Sequence, residues 1–265
     1  MSENIRCVAR AIEVMHELQA MEAASLAQLQ SRTGLPKATL SRLLFTLEKT
    51  RTVWRAKGDG LWRPAFEFKP SRIHTTQHQS LIEVAVPVLE KLRLSVIWPS
   101  DLAVRDGAHM RLLETTRRSS GLAVNRDAIG HRIDMLQSAV GRAYLSRCPE
   151  REVASICRLL VRNRGIAPEV IEQRVDDARR EFHRQGYSTR GKDYGGHDEP
   201  IRVFDDQLSA IAVPLLKGGQ VLGCINIVWL RRFESTTALA RRNLAHLTSA
   251  ASEIVEKLVA KNPVV

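Results

Sequence analysis

Apolar residues recur at helical spacing from the start of the chain. Val8, Ile12, Met15 and its neighbour Leu18 predict an amphipathic helix over about residues 4–19. Ser25 suits the N-cap of a short second helix that buries Leu26 and Leu29, and Gly34 closes it where left-handed backbone is needed. Pro36 follows in the first turn of a third helix, where its missing N–H costs nothing. Helix, glycine-bearing turn and helix make a helix-turn-helix. In the third helix Leu40, Leu43, Leu44 and Leu47 form one buried stripe. The opposite face then carries Ala38, Ser41, Arg42, Phe45 and Lys49, flanked by Lys37, Thr39 and Thr46. Beyond it the period drops to two. Residues 52–57 alternate, Gly58-Asp59-Gly60 turns, and residues 61–68 alternate again, a hairpin wing bearing Arg55, Lys57 and Arg63.

After Pro70 a linker helix is expected, with Leu81, Ala85, Val88, Leu89 and Leu92 on one face. Residues 101–106 and 109–115 alternate around Gly107, and residues 208–216 and 220–229 are apolar runs joined at Lys217-Gly218-Gly219. Each pair reads as a hairpin. The last helix shows a seam of Ala240, Leu244, Leu247, Ala251, Ile254 and Leu258. Helices mixed with antiparallel strands imply an α+β fold in two domains. The expected division is residues 1–70 as a winged helix-turn-helix, 71–92 as a linker helix, and 93–265 as a second, larger α+β domain.

Charge sharpens this picture. The 265 residues hold 40 Lys+Arg against 29 Asp+Glu, a net of +11, which favours a polyanionic partner. Residues 1–35 are net −1, whereas residues 36–72 carry nine Lys/Arg against three acids, a net of +6. A phosphate-binding face is therefore expected on the third helix and the wing. Small and hydroxylic Ala38, Thr39, Ser41 and Thr46 permit close approach to a groove, Arg42 can fork onto guanine or phosphate, and Lys37 and Lys49 suit phosphates. Phe45 would touch a thymine methyl or pack on the wing. Arg55, Lys57 and Arg63 suit phosphates or a narrow minor groove. A merely solvated helix face is the alternative.

Other chemistry is sparse. Cys7, Cys148, Cys157 and Cys224 are isolated and lack zinc spacing. The N-terminus has no secretory apolar region, and residues 221–230 are half the length of a membrane span and contain Asn226, so a cytoplasmic protein with reduced thiols and no membrane partner is expected. His74 and His78 stand at i, i+4 without a third ligand, so no metal is expected. The glycine-rich residues 191–199 lack a phosphate-loop pattern and read as a loop near a pocket. No nucleophilic set stands out and no cofactor is implied, which argues against an enzyme. A small-molecule enzyme with a non-specific basic nucleic-acid-binding head remains the rival reading.

The run Gly34-Leu-Pro-Lys-Ala-Thr-Leu-Ser-Arg-Leu-Leu-Phe-Thr-Leu-Glu48 resembles the recognition segment of the IclR family of bacterial regulators. Ile129-Gly-His-Arg-Ile-Asp-Met-Leu, Ser138-Ala-Val-Gly-Arg-Ala-Tyr-Leu, Arg184-Gln-Gly-Tyr187, and Ile211-Ala-Val-Pro-Leu-Leu followed by Val221-Leu-Gly-Cys-Ile-Asn-Ile fit the same family in order. Val96-Ile-Trp-Pro-Ser-Asp101 is similar to the subgroup controlling aromatic-acid catabolism, such as the hydroxyphenylpropionate regulators. The resemblance implies a GAF-like second domain and a regulator that reads an operator of imperfect palindromic sequence on double-stranded DNA. It also implies a homodimer or tetramer, and control by a small organic or aromatic carboxylic acid. Ser138, Ala139, Gly141 and Arg142 match the family's effector-binding turn, and Val213 and Asn226 match positions on facing strands. Met135 and Cys224 are placed with them. Arg142 is either the partner of the effector carboxylate or solvent-exposed. Met135, Leu112, Ile211 and Trp229 are candidates for an apolar wall or plain core.

Overall fold

The computed structural model describes residues 5–65, 76–117, 129–196, 199–200 and 202–261. The chain divides into two compact units, Met1–Pro70 and Ser71–Val265.

In the first unit α1 (Arg6–Met21), α2 (Leu26–Thr33) and α3 (Lys37–Lys49) precede the short strands β1 (Val53–Arg55) and β2 (Trp62–Pro64). The helices converge on Val14, Leu18, Leu29, Leu40, Leu44 and Val53, all essentially inaccessible. Pro36 is the N-cap of α3 rather than a residue of its first turn. The expected alternation through residue 68 runs past Ala65 and so lies partly outside the described residues.

The second unit opens with α4 (Thr76–Ser95), followed by β3 (Ser100–Asp106), β4 (His109–Thr115), β5 (Arg132–Asp134), α5 (Ala139–Arg147), α6 (Glu150–Arg164) and α7 (Pro168–Gln185). It continues with β6 (Ser188–Thr189), β7 (Tyr194–Gly196), β8 (Glu199–Pro200), β9 (Leu208–Lys217), β10 (Gln220–Leu230) and α8 (Thr236–Lys261). Six strands form one antiparallel sheet in the order β5-β4-β3-β10-β9-β6. Both expected hairpins are in it, turned at Gly107 and at Gly218-Gly219, all with positive φ. The helices α6 and α7 were not among the expectations.

Each face of the sheet is buried under helices. Ile211, Val213, Leu215, Ile225, Ile227 and Trp229 pack with α4 and α8 in one core. Ala210, Ala212, Cys224 and Val228 pack with α5, α6 and α7 in another. Both faces being covered, β9 and β10 are apolar almost throughout. The helix α4, expected as a linker, belongs to the first of these cores: Leu81, Ala85, Val88 and Leu89 are at most 2% exposed.

Candidate nucleic-acid interface and ligand cavity

The helix-turn-helix is held by local chemistry. Ser25 Oγ accepts the Gln28 N–H at 3.3 Å while Gln28 Oε1 accepts the Ser25 N–H at 2.8 Å, a reciprocal capping box. Gly34 closes α2 at φ 65°, donating to the Gln30 carbonyl. With Leu40 and Leu44 pinned in the core, α3 turns Lys37, Ala38, Ser41, Phe45 and Lys49 to solvent. Phe45 is 57% exposed, and the Lys49 ammonium lies 4.9 Å from its ring centroid. Phe45 is thus partnered by its own helix, and among the described residues no ring contact joins it to the wing. Thr39, Arg42 and Thr46 lie along the flank. With Val8, Ile12, Met15 and His16 of α1 they line a groove of about 790 Å³. Of the eight α3 residues expected at the nucleic acid, all but the half-buried Thr39 are exposed, and Thr39, Arg42 and Thr46 also border α1.

The wing carries two cross-strand arginine–tryptophan pairs, Trp54 opposite Arg63 and Arg55 opposite Trp62. The Arg63 guanidinium lies 5.5 Å from the Trp54 ring and that of Arg55 5.7 Å from the Trp62 ring. Arg63 also donates both its terminal nitrogens to Asp59, at 3.1 and 2.6 Å. The bond from Arg63, with the Leu61 N–H, holds the Asp59 carboxyl down at about 2. Arg63 therefore shares its charge with Asp59, which qualifies the expectation of three wing cations for phosphates. Arg55 donates Nε to the Gly60 carbonyl at 2.9 Å, and Lys57 stands exposed in the turn.

In the second unit a cavity of about 310 Å³ opens on the sheet face beneath α5. One border is the start of α5. Asp134 accepts the N–H groups of Leu136 and Gln137, both at 2.7 Å, and is ion-paired with Arg164. Ser138 caps the helix by accepting the Gly141 N–H at 3.0 Å and donates to the Asp134 carbonyl at 2.6 Å. A Cβ on Gly141 would sit 2.2 Å from the Met135 carbonyl oxygen, so this packing requires glycine. Ser138, Ala139 and Val140 line the cavity, where a helix N-terminus favours an anion.

The opposite border is polar and prearranged. Asp101 is wholly buried and accepts Arg117 Nε at 2.9 Å, Arg117 Nη2 at 2.7 Å and Thr115 Oγ1 at 2.6 Å. Asn226 closes the network, donating to Asp101 Oδ2 at 3.2 Å and accepting the Asp101 N–H at 2.8 Å. Desolvation works against the Arg117 charge, but the Asp101 charge and its bonds outweigh it, so the guanidinium pKa is raised. Arg190 makes a second bidentate pair with Asp206, both bonds 3.0 Å, and lies 4.7 Å over the Tyr194 ring. Its buried Nε has no acceptor among the described residues. Leu112, Ile133, Leu208, Ala210, Val228 and Leu230 supply the apolar lining.

Of the eight residues expected at the effector, Ser138, Ala139 and Asn226 line this cavity, as does Leu112 from the candidate wall. Gly141 and Met135 lie behind the turn, Met135 fully buried. Arg142 fits neither expected role. It is 8% exposed and donates to Glu181 at 3.0 Å, a carboxylate that also accepts the Thr189 hydroxyl at 2.6 Å. Val213, Ile211 and Trp229 face the other way, into the core under α4 and α8. Val213 pairs with Ile225 and Asn226 with Ala212, so Val213 and Asn226 have opposite parity across the sheet. Cys224 shares the cavity's face but is sealed in the core, where burial pushes its thiol pKa well up. The residues missed were Asp101, Arg117, Arg190, Tyr194 and Asp206. Their signal was present for Asp101 alone, a carboxylate directly before the apolar run Leu102-Ala103-Val104 of a strand, where it needs a partner if buried. No cluster of three metal-ligating side chains occurs among the described residues; His74 lies outside them.

Two domain profiles of one family match. The IclR helix-turn-helix domain covers residues 7–55, and the C-terminal domain of the bacterial transcriptional regulator IclR covers residues 73–189. The chain belongs to the IclR family. It is 23% identical over 224 residues to the acetate operon repressor of Salmonella typhimurium, covering 74% of this chain and 80% of that one. It is 26% identical to the HTH-type transcriptional regulator TsaQ1/TsaQ2 of Comamonas testosteroni, over 72% of this chain and 69% of that one. Among solved structures, an IclR family regulator from Brucella abortus matches with a TM-score of 0.56 at 22% identity, covering 96% of this chain and 93% of that one. An IclR homologue from Microbacterium hydrocarbonoxydans, crystallised with 4-hydroxybenzoate, matches with a TM-score of 0.52 at 19% identity, over 96% and 99%. This IclR-family protein is thus a DNA-binding transcriptional regulator with the two-domain α+β fold expected, and no described helix is long and apolar enough to cross a membrane.

Proposed function

We propose that this regulator controls a catabolic operon in response to a small organic acid, aromatic acids included, bound in the cavity beneath α5. The observation that carries the reading is the cavity's pairing of a helix N-terminus with an arginine-bearing wall across an apolar lining. A carboxylate is favoured at the α5 end by the first-turn N–H groups and the nearby Arg132, and an apolar body suits Leu112, Ala210 and Val228. The 4-hydroxybenzoate held by the Microbacterium hydrocarbonoxydans homologue is a ligand of this chemical class. Residues 1–70 read the operator. Lys37, Ala38, Ser41, Phe45 and Lys49 enter the major groove, Thr39, Arg42 and Thr46 reach its backbone edge, and Arg55, Lys57 and Arg63 meet the flanking duplex. Residues 71–265 sense the acid, and two reading heads act on an imperfect palindrome in the bacterial cytoplasm. No catalytic role is assigned.

The test is binding to the DNA upstream of the gene against random DNA across a salt series. A specific regulator prefers its own site by about 10³-fold or more. Titration with benzoate, 4-hydroxybenzoate and acetate then asks whether any acid changes that affinity. Equal affinity for both DNAs, or indifference to every acid, sinks the corresponding half of the proposal.

A further inference from the structure

The positive charge of this chain is not confined to the helix-turn-helix unit. Residues 1–35 are net −1 and residues 36–72 net +6, so residues 73–265 carry the remaining +6 of the +11 total. Part of that excess is drawn into a line. The helix α6 buries Val153, Ile156 and Leu160 on one side. At about 100° per residue, Arg151, Arg158 and Arg162 fall within about 40° of one another on the opposite side. All three are exposed, and none makes an ion pair among the described residues. The carboxylates of α6 are engaged elsewhere, Glu150 by Arg179 at 2.7 Å and Glu152 by the Tyr144 hydroxyl. Helix stability does not call for this line. Arg162 in the last turn suits the helix dipole, but Arg151 lies in the first turn, where a cation is disfavoured. Arg158 and Arg162 stand at i, i+4, where like charges repel.

We propose that α6 is a second DNA contact, through which the second unit holds the phosphate backbone without reading sequence. From Arg151 to Arg162 the helix rises about 16 Å, equal to about five steps along one DNA strand. Three unshared guanidiniums along that length match a row of phosphates, each able to take a forked pair of bonds. An acidic protein surface is the poorer occupant. The exposed apolar residues of α6 are Ala154 and Val161, with no aromatic among them, whereas protein interfaces centre on buried aromatic or aliphatic anchors. The inference rests on DNA binding by this chain and not on the acid beneath α5. A phosphate contact positions a protein but carries no base information, so this one strengthens binding to every duplex alike.

The experiment compares the full chain with its Arg151→Ala, Arg158→Ala, Arg162→Ala triple variant, on upstream and on random DNA, across a salt series. The exposed Arg232 and Arg241, both changed to Ala, serve as the control for charge lost elsewhere in the second unit. The triple variant should lower the slope of log affinity against log salt by up to about 0.9 for each phosphate given up. It should weaken both DNAs by the same factor, about tenfold, and leave the preference for upstream DNA unchanged. The corresponding triple of Arg→Lys changes keeps the charges and should keep the slope. An unchanged slope in the alanine variant overturns the inference, as does an equal fall per charge in the Arg232 and Arg241 control. Equal losses in the alanine and lysine triples would mean damage to α6 rather than lost charge, and overturn it too. Specific binding by the unaltered chain decides separately whether residues 1–70 read the operator.

Discussion

The two units hold their arginines and lysines in different ways. On α3 and in the wing turn, Lys37, Arg42, Lys49 and Lys57 make no ion pair among the described residues, and Arg63 is the one cation there matched by a neighbouring carboxylate. In the cavity, Arg117 and Arg190 are each locked to an aspartate by two bonds, and Arg142 behind it to Glu181. Unshared surface charge suits a polyanion whose phosphates repeat along a line and are reached through water. Charge in a buried cavity is tolerable only when paired, and pairing fixes each guanidinium so that its remaining N–H groups present a shaped edge to a small ligand. The same residue type thus serves attraction in one place and geometry in the other.

That contrast can be broken from either side. The largest effect is expected from Asp101→Ala, which strands the Arg117 guanidinium in the interior. Denaturant unfolding should show a loss of about 3–5 kcal/mol, and a loss below 1 kcal/mol would mean that the pair is not the structural element described. Next comes Gly141→Ala, whose Cβ must displace the Met135 carbonyl. A cost of about 1–3 kcal/mol, with weakened acid binding in calorimetry, is expected from overpacking at this turn. For the surface charges, Lys37→Ala with Lys49→Ala should leave thermal stability unchanged. The same double variant should lower the slope of log affinity against log salt by up to about 0.9 per lost phosphate contact. The smallest and most discriminating change is Asp59→Asn. Freeing Arg63 should tighten DNA binding modestly and steepen the salt slope, whereas unchanged binding would place Arg63 away from the duplex.

The Asp59–Arg63 pair also makes a statement about pH. The folded carboxyl is held near 2, below its unfolded value of about 3.9, so whatever stability the pair supplies is complete above about pH 4 and is lost as pH falls toward 2. DNA affinity measured between pH 5 and 8 should therefore show no titration from this pair. The Asp59→Asn variant should retain the same flat profile.

Legibility differed between the units for a physical reason. The stripe of Leu40, Leu43, Leu44 and Leu47 placed α3 and its outward residues, because one buried face against one wet face leaves a period in the residue types. In β9 and β10 that signal is missing. Ile211 and Ala212, or Ile225 and Asn226, face opposite helical layers, yet both layers are dry and the residue types barely alternate. Val213 was consequently placed with the effector residues, although it lies in the core under α4 and α8, as does Trp229, for which wall and core were both left open. Arg142 was misplaced for a related reason: an arginine is exposed unless paired, and its partner Glu181 lies 39 residues away on α7.

By itself the sequence determined the helix-turn-helix, its caps at Ser25 and Gly34, the wing turn and the family, all of which rest on residues close together in the chain or on motifs in order. Only the tertiary structure decided which face of the sheet holds the cavity and which carboxylate holds each arginine. Asp101 meets Asn226 across 125 residues, and such a partnership is set by strand register and burial, which no local pattern encodes.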